Sequence, residues 1–121
     1  MKFLHVALGG AAGAAGRYAM SLMPMKTVFP LQTFLTNLLG AVLIGFVVGL
    51  AEQRPDINPD AVLFLKTGVC GGFTTFSTFS LEALTLLQSR SYVAGGLYIV
   101  LSVACCLAGV FCGQKLACVL R

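Results

Sequence analysis

Four long apolar segments, separated by short polar or proline-containing stretches, dominate the chain. The first runs from Phe3 to about Met23 and is rich in glycine and alanine. It stops where Pro24, Lys26 and Pro30 gather, because proline disfavours helix continuation on both of its sides. The second, Leu31 to Ala51, carries no charge. EQRPDINPD follows, Glu52 to Asp60, with three of the four acidic residues and two prolines, and reads as a turn outside an apolar layer. The third segment, Ala61 to Leu87, is interrupted by Gly71-Gly72 and a run of hydroxyl residues through Ser80, which predicts a helix broken near residues 71–75. Gln88-Ser89-Arg90-Ser91 closes it, and the fourth segment extends from Tyr92 to about Val119. A helix crosses a hydrocarbon layer with about 20 residues. The pattern therefore predicts an all-α membrane protein of four transmembrane helices, one domain over residues 1–121.

Composition narrows the class further. Apolar residues make up 58% of the chain and charged residues 10%, where a soluble domain carries about 25%. Mean hydropathy is +0.93. So few charges cannot cover a core of ordinary size, and so much apolar content excludes a disordered chain. Lys2 followed by an apolar run is like the start of a secretory signal peptide. The apolar character continues through Arg17 to Met25, so a retained first helix is expected.

The net charge of +4 comes from eight basic residues scattered singly. No basic run exists to follow a phosphate backbone, which argues against nucleic acid and for anchors at lipid headgroups. Four spans place Lys2, Arg54, Lys115 and Arg121 on one side and Lys26 and Arg90 on the other. That bias is weak enough for insertion in either orientation. The five cysteines, Cys70, Cys105, Cys106, Cys112 and Cys118, all lie in apolar stretches without a CxxC spacing. They read as small buried thiols rather than a disulfide framework or a zinc site.

Catalytic chemistry is missing from the pattern. His5 is the only histidine, and Glu82 is the only acidic residue within an apolar segment. There is no paired carboxylate, no nucleophile with a nearby base and no phosphate loop, so an enzyme is not expected. Gly9 and Gly13, Gly45 and Gly49, and Gly109 and Gly113 instead form GxxxG pairs, which let helix backbones approach closely in lipid. A bundle packed so tightly leaves no central hole, and a transport path would need a second subunit.

The polar residues inside the spans carry the functional signal. Arg17 lies halfway along the first segment, at a cost of about 2.5–3.5 kcal/mol unless it snorkels toward the loop at Pro24. Asn37 has Thr33 one turn earlier on its face. Its amide either joins helices or donates to a passing anion. In GVCGGFTTFSTFSLE, Gly71 and Gly72 each cost about 1 kcal/mol in a helix interior. Thr74 and Thr75 then compete for backbone hydrogen bonds. A break within a membrane is tolerated only where buried in protein or lining a cavity, and freed carbonyls there can coordinate a cation. Phe76 and Phe79 share a helix face, with Ser77, Thr78 and Ser80 beside them.

GVCGGFTTFSTFS resembles the signature of the small fluoride channels, the Fluc or CrcB family. GGAAGAAGRY, Gly9 to Tyr18, is similar to that family's first-helix motif, and TFLTNLLGAVLIG, Thr33 to Gly45, to its second. Gln32, where glycine is usual, and Thr36, in place of an aliphatic residue, depart from the pattern.

The resemblance implies a passive fluoride-selective channel that exports cytoplasmic fluoride from bacteria, multi-pass in the inner membrane. It implies an antiparallel, dual-topology homodimer with two pores, which would account for the weak charge bias. Phe76 and Phe79 match the aromatic pair facing fluoride, and Asn37 the pore asparagine. Thr33, Ser77, Thr78, Tyr98 and Ser102 fall on pore-side polar positions, and Arg17 on a vestibule arginine. Gly71 and Thr74 match the positions whose carbonyls hold a structural sodium ion (Na+) at the dimer centre.

Two rivals stand beside this reading. A four-helix drug/proton antiporter needs a titratable carboxylate, and the first span has none. A non-transporting structural subunit would leave the hydroxyl and phenyl cluster without a purpose.

Overall fold

Proline and capping side chains set the helix boundaries in the computed structural model, which describes residues 1–24 and 27–120. Helix α1 is Lys2–Ser21 and α2 is Leu31–Gln53, entered from Pro30. Lys26 and Arg121, counted above among the flanking bases, lie outside the described residues. The third segment starts at Pro59, where the Asn58 side chain accepts from the Asp60 N–H at 2.9 Å and proline takes a position whose N–H would be unpaired anyway. It runs through Pro59–Leu63, widens to π-helical pitch over Phe64–Cys70 and closes with the turn Gly71–Phe73; α3 denotes all of 59–73. Helix α4 is Phe76–Gln88 and α5 is Tyr92–Val119. Between α4 and α5 the chain reverses at Arg90, φ 65°, with the Ser91 N–H bonded to the Leu86 carbonyl at 2.9 Å. This is a Schellman ending with arginine in the left-handed position that glycine usually fills.

Helices pair through glycines, as α1 on α3 and α2 on α5. A Cβ added to Gly9 would sit 2.8 Å from the Cα of Gly68, and one added to Gly113 would sit 2.7 Å from the Phe46 nitrogen. Only glycine permits backbones this close. Helix α4 packs on α5 through Ala83, Leu86 and the fully buried Tyr98, joined by Phe29, Phe34 and Phe79. Outside these contacts the surface is apolar, with Phe3 and Val93 almost fully exposed. Helices α2 and α5, each of mean hydropathy 2.2, are long and apolar enough to cross a membrane. The third segment is divided into pieces that are each shorter than a span needs.

The break falls within the predicted stretch 71–75, at its hydroxyl residues rather than its glycines. Gly71 and Gly72 are helical, and the chain leaves the helix at Thr74 and Thr75, which are extended (ψ 156° and φ −146°). The glycines serve contact instead. A Cβ on Gly72 would lie 3.0 Å from the Cα of Gly10, so this residue brings α3 against α1.

Candidate functional site

The site is built around Thr75. Its N–H donates to Asn37 Oδ1 at 2.8 Å, and its carbonyl accepts from Asn37 Nδ2 at 3.1 Å. A side-chain amide thus replaces the helical partners that Thr75 gave up. The Thr75 hydroxyl accepts from the Thr78 N–H at 3.2 Å and so caps α4. Thr74 stays tied to α3, its N–H and hydroxyl both donating to the Cys70 carbonyl at 3.0 and 2.8 Å. Among the described residues, no backbone N–H bonds the carbonyls of Gly71 or Thr74. The first is free because the Thr75 N–H bonds Asn37, and the second because the Thr78 N–H bonds the Thr75 hydroxyl.

Arg17 does not snorkel toward Pro24. Its Nε donates to the Gly72 carbonyl at 3.2 Å, placing a cation at the C-terminal end of α3. That end carries the negative pole of the helix dipole and its unpaired carbonyls, which is sufficient reason for the guanidinium to turn inward.

Two cavities meet at the break. One, about 390 Å³, is lined by Asn37, Lys66, Thr74, Phe76, Phe79 and Ser102 among others. The other, about 410 Å³, is lined by Arg17, Thr33, Thr36, Thr78 and Glu82 among others. Thr75 lines both.

The two phenyl rings sit 5.7 Å apart, Phe76 exposed and Phe79 half-buried against Tyr98 at 5.0 Å. Tyr98 lines neither cavity. It is fully buried and donates its hydroxyl to the Glu82 carboxylate at 3.2 Å, joining Phe79 in the first cavity to Glu82 in the second. Ser102 Oγ is buried and has no hydrogen-bond partner, an orphan hydroxyl on the wall of the first cavity. Ser77 is exposed and outside both cavities, 3.4 Å from the Thr75 hydroxyl.

Residues 4–114 match the family described as CrcB-like protein, Camphor Resistance (CrcB). The chain belongs to the CrcB family. Within that family it is 47% identical over 120 residues to a protein of Ruminiclostridium cellulolyticum named fluoride-specific ion channel FluC, covering 97% of this chain and 92% of the relative. A Roseiflexus protein of the same name is 42% identical over 99% of both chains. One from Thermococcus kodakarensis is 41% identical over 94% of each.

The site of this CrcB-family chain also includes Glu82 and Thr75, which the sequence did not place among the site residues. Glu82 stands in the second cavity as the partner of Tyr98, and nothing local marks that pairing across 16 positions. Thr75 had a visible signal, a hydroxyl three residues before the Thr78 N–H that it caps. The two departures from the family pattern also become legible. Gln32 donates its amide to the carbonyls of Met23 and Ser21 at the end of α1, and the buried Thr36 hydroxyl donates to the Gln32 carbonyl at 2.7 Å.

Proposed function

We propose that this chain is a passive fluoride channel. The observation that carries the reading is the pair of cavities meeting at Thr75, lined by donors that hold an anion weakly rather than by fixed carboxylates on both sides. Fluoride is small and strongly hydrated, and a pore must replace its water with hydrogen-bond donors or positive ring edges. Asn37 retains one N–H after bonding Thr75, Ser102 has a free hydroxyl, and the edges of Phe76 and Phe79 carry partial positive charge. Thr33 and Thr78 continue the donors into the second cavity, where Arg17 supplies positive charge. Ser77 and Tyr98 act from beside this route, Ser77 near the Thr75 hydroxyl and Tyr98 by holding Phe79 and Glu82 in place. Such contacts attract the ion and release it again. With the cell interior negative, about 2.3 kcal/mol per 100 mV favours anion exit.

The helices pack backbone to backbone through their glycines, which leaves no central hole, so the conducting unit in this reading is a homodimer. An antiparallel arrangement would account for the weak charge bias of the loops, and the location in this reading is the bacterial inner membrane, multi-pass, with the break at mid-membrane. The sodium ion fits the residues present. The carbonyls of Gly71 and Thr74, unpaired at the break, are hard oxygen donors of the kind sodium prefers. When bound it would neutralise those dipoles and brace the break, while the anion moves past other groups. Purified protein in liposomes should release fluoride and retain chloride; equal release of both, or of neither, overturns the proposal.

A further inference from the structure

We infer that Lys66 is an electrostatic mouth residue, an ammonium that gathers small hard anions at the outer end of the first cavity and so sets the rate at which they enter. The inference rests on the reading of that cavity as the anion route. Among the described residues lining the cavity, Lys66 is the one charged side chain. It is exposed, and the one ion pair found among the described residues, Lys2 with Asp60 at 3.3 Å, leaves it free. The local backbone explains why a lysine within an apolar helix faces this wall. Lys66 lies in the π-helical stretch Phe64–Cys70, where partners are five residues apart, so Lys66 and Gly71 come onto one face; both line the cavity. Such wide turns recur at functional sites. A lysine here costs insertion energy in lipid, and an aqueous mouth removes that cost.

Apart from Asn37, Thr74, Thr75 and Ser102, the remaining wall is apolar, Gly40, Ala41, Ile44, Val103 and Val110 among its residues. Low-dielectric walls focus the field of a single charge along the opening and raise the local concentration of counter-ions. The ammonium does not have to touch the ion in the narrow part. It acts on entry, and its effect is screened by salt.

The test uses fluoride efflux from liposomes loaded with potassium fluoride, at ionic strengths of about 0.01 M and about 0.15 M potassium gluconate, where Debye lengths are about 30 and 8 Å. A unit charge about 4 Å from an anion in water is worth roughly a fivefold change in occupancy. Lys66→Gln should therefore lower efflux about fivefold at low ionic strength, with the deficit shrinking at high. Lys66→Arg should match the wild type, and Lys66→Glu should fall below Lys66→Gln. Equal rates for wild type and Lys66→Gln at both ionic strengths overturn the inference. So does a deficit that is independent of salt and shared by Lys66→Arg, which would mark a packing role. Should Lys66→Gln fail to assemble, a wild-type rate that is the same at both ionic strengths overturns it without any variant. A wild type that passes no fluoride at all overturns instead the channel reading beneath it.

Discussion

Asn37→Ala is the most informative single perturbation, because one side chain replaces the helix at its break. The substitution removes two hydrogen bonds to Thr75, at 2.8 and 3.1 Å, and leaves a backbone N–H and a carbonyl unpaired. Each unpaired buried group costs about 1–3 kcal/mol. Asn37 and Thr75 are half-buried and border two cavities, so water recovers part of this. A net loss of about 2–3 kcal/mol is expected, roughly a 30- to 150-fold shift in the folding equilibrium. Asn37→Asp separates the two bonds: its carboxylate still accepts from the Thr75 N–H but faces the Thr75 carbonyl with a second acceptor. Thermal unfolding in detergent, read by loss of the folded peak on gel filtration, should rank wild type above Asn37→Asp and that above Asn37→Ala. Fluoride efflux from liposomes should fall in both variants. An Asn37→Ala protein with wild-type thermal stability would show that the break holds without its clamp, and the reasoning would fail.

Phe76→Ile should cut fluoride flux while leaving the chain folded, since Phe76 is 79% exposed on the single chain; wild-type flux would return the ring to plain packing. Phe79→Ile should lose flux and about 0.5–1.5 kcal/mol of stability, because its ring also packs on Tyr98 at 5.0 Å, and a melting curve separates the two effects. Gly113→Val should unfold the α2–α5 pair, since even a Cβ would lie 2.7 Å from the Phe46 nitrogen; a folded peak of normal height on gel filtration would contradict this. Two lysines added between Pro24 and Pro30 should bias insertion, giving a protein inactive alone and active when co-expressed with an oppositely biased partner. Full activity alone would argue against an antiparallel dimer. Exchange of sodium for a bulky organic cation should weaken flux or the dimer without changing anion preference, and no effect after thorough exchange would remove the ion from the account.

Much of the molecule is written locally. The apolar segments, the prolines at 24, 30, 55 and 59 and the Asn58 cap act over a few residues, and helix extent follows from such short-range terms. The composition of residues 68–82 announced an interruption of the third helix for the same reason. That the chain leaves the helix at Thr74 and Thr75, rather than at Gly71 and Gly72, did not follow. Glycine propensity is a cost of about 1 kcal/mol, and it was outweighed by the gain from seating Gly72 against Gly10 and from pairing Thr75 with Asn37, 38 positions away. The inward turn of Arg17 to Gly72 and the bond from Tyr98 to Glu82 have the same origin, partners 55 and 16 residues apart. Glycine pairs in the sequence announced close helix contacts, yet only the folded chain determined that α1 meets α3 and α2 meets α5. Periodicity determines which face of a helix is apolar. The choice among several apolar faces depends on shape and on which buried polar groups find partners, and those terms exist only once the segments are assembled.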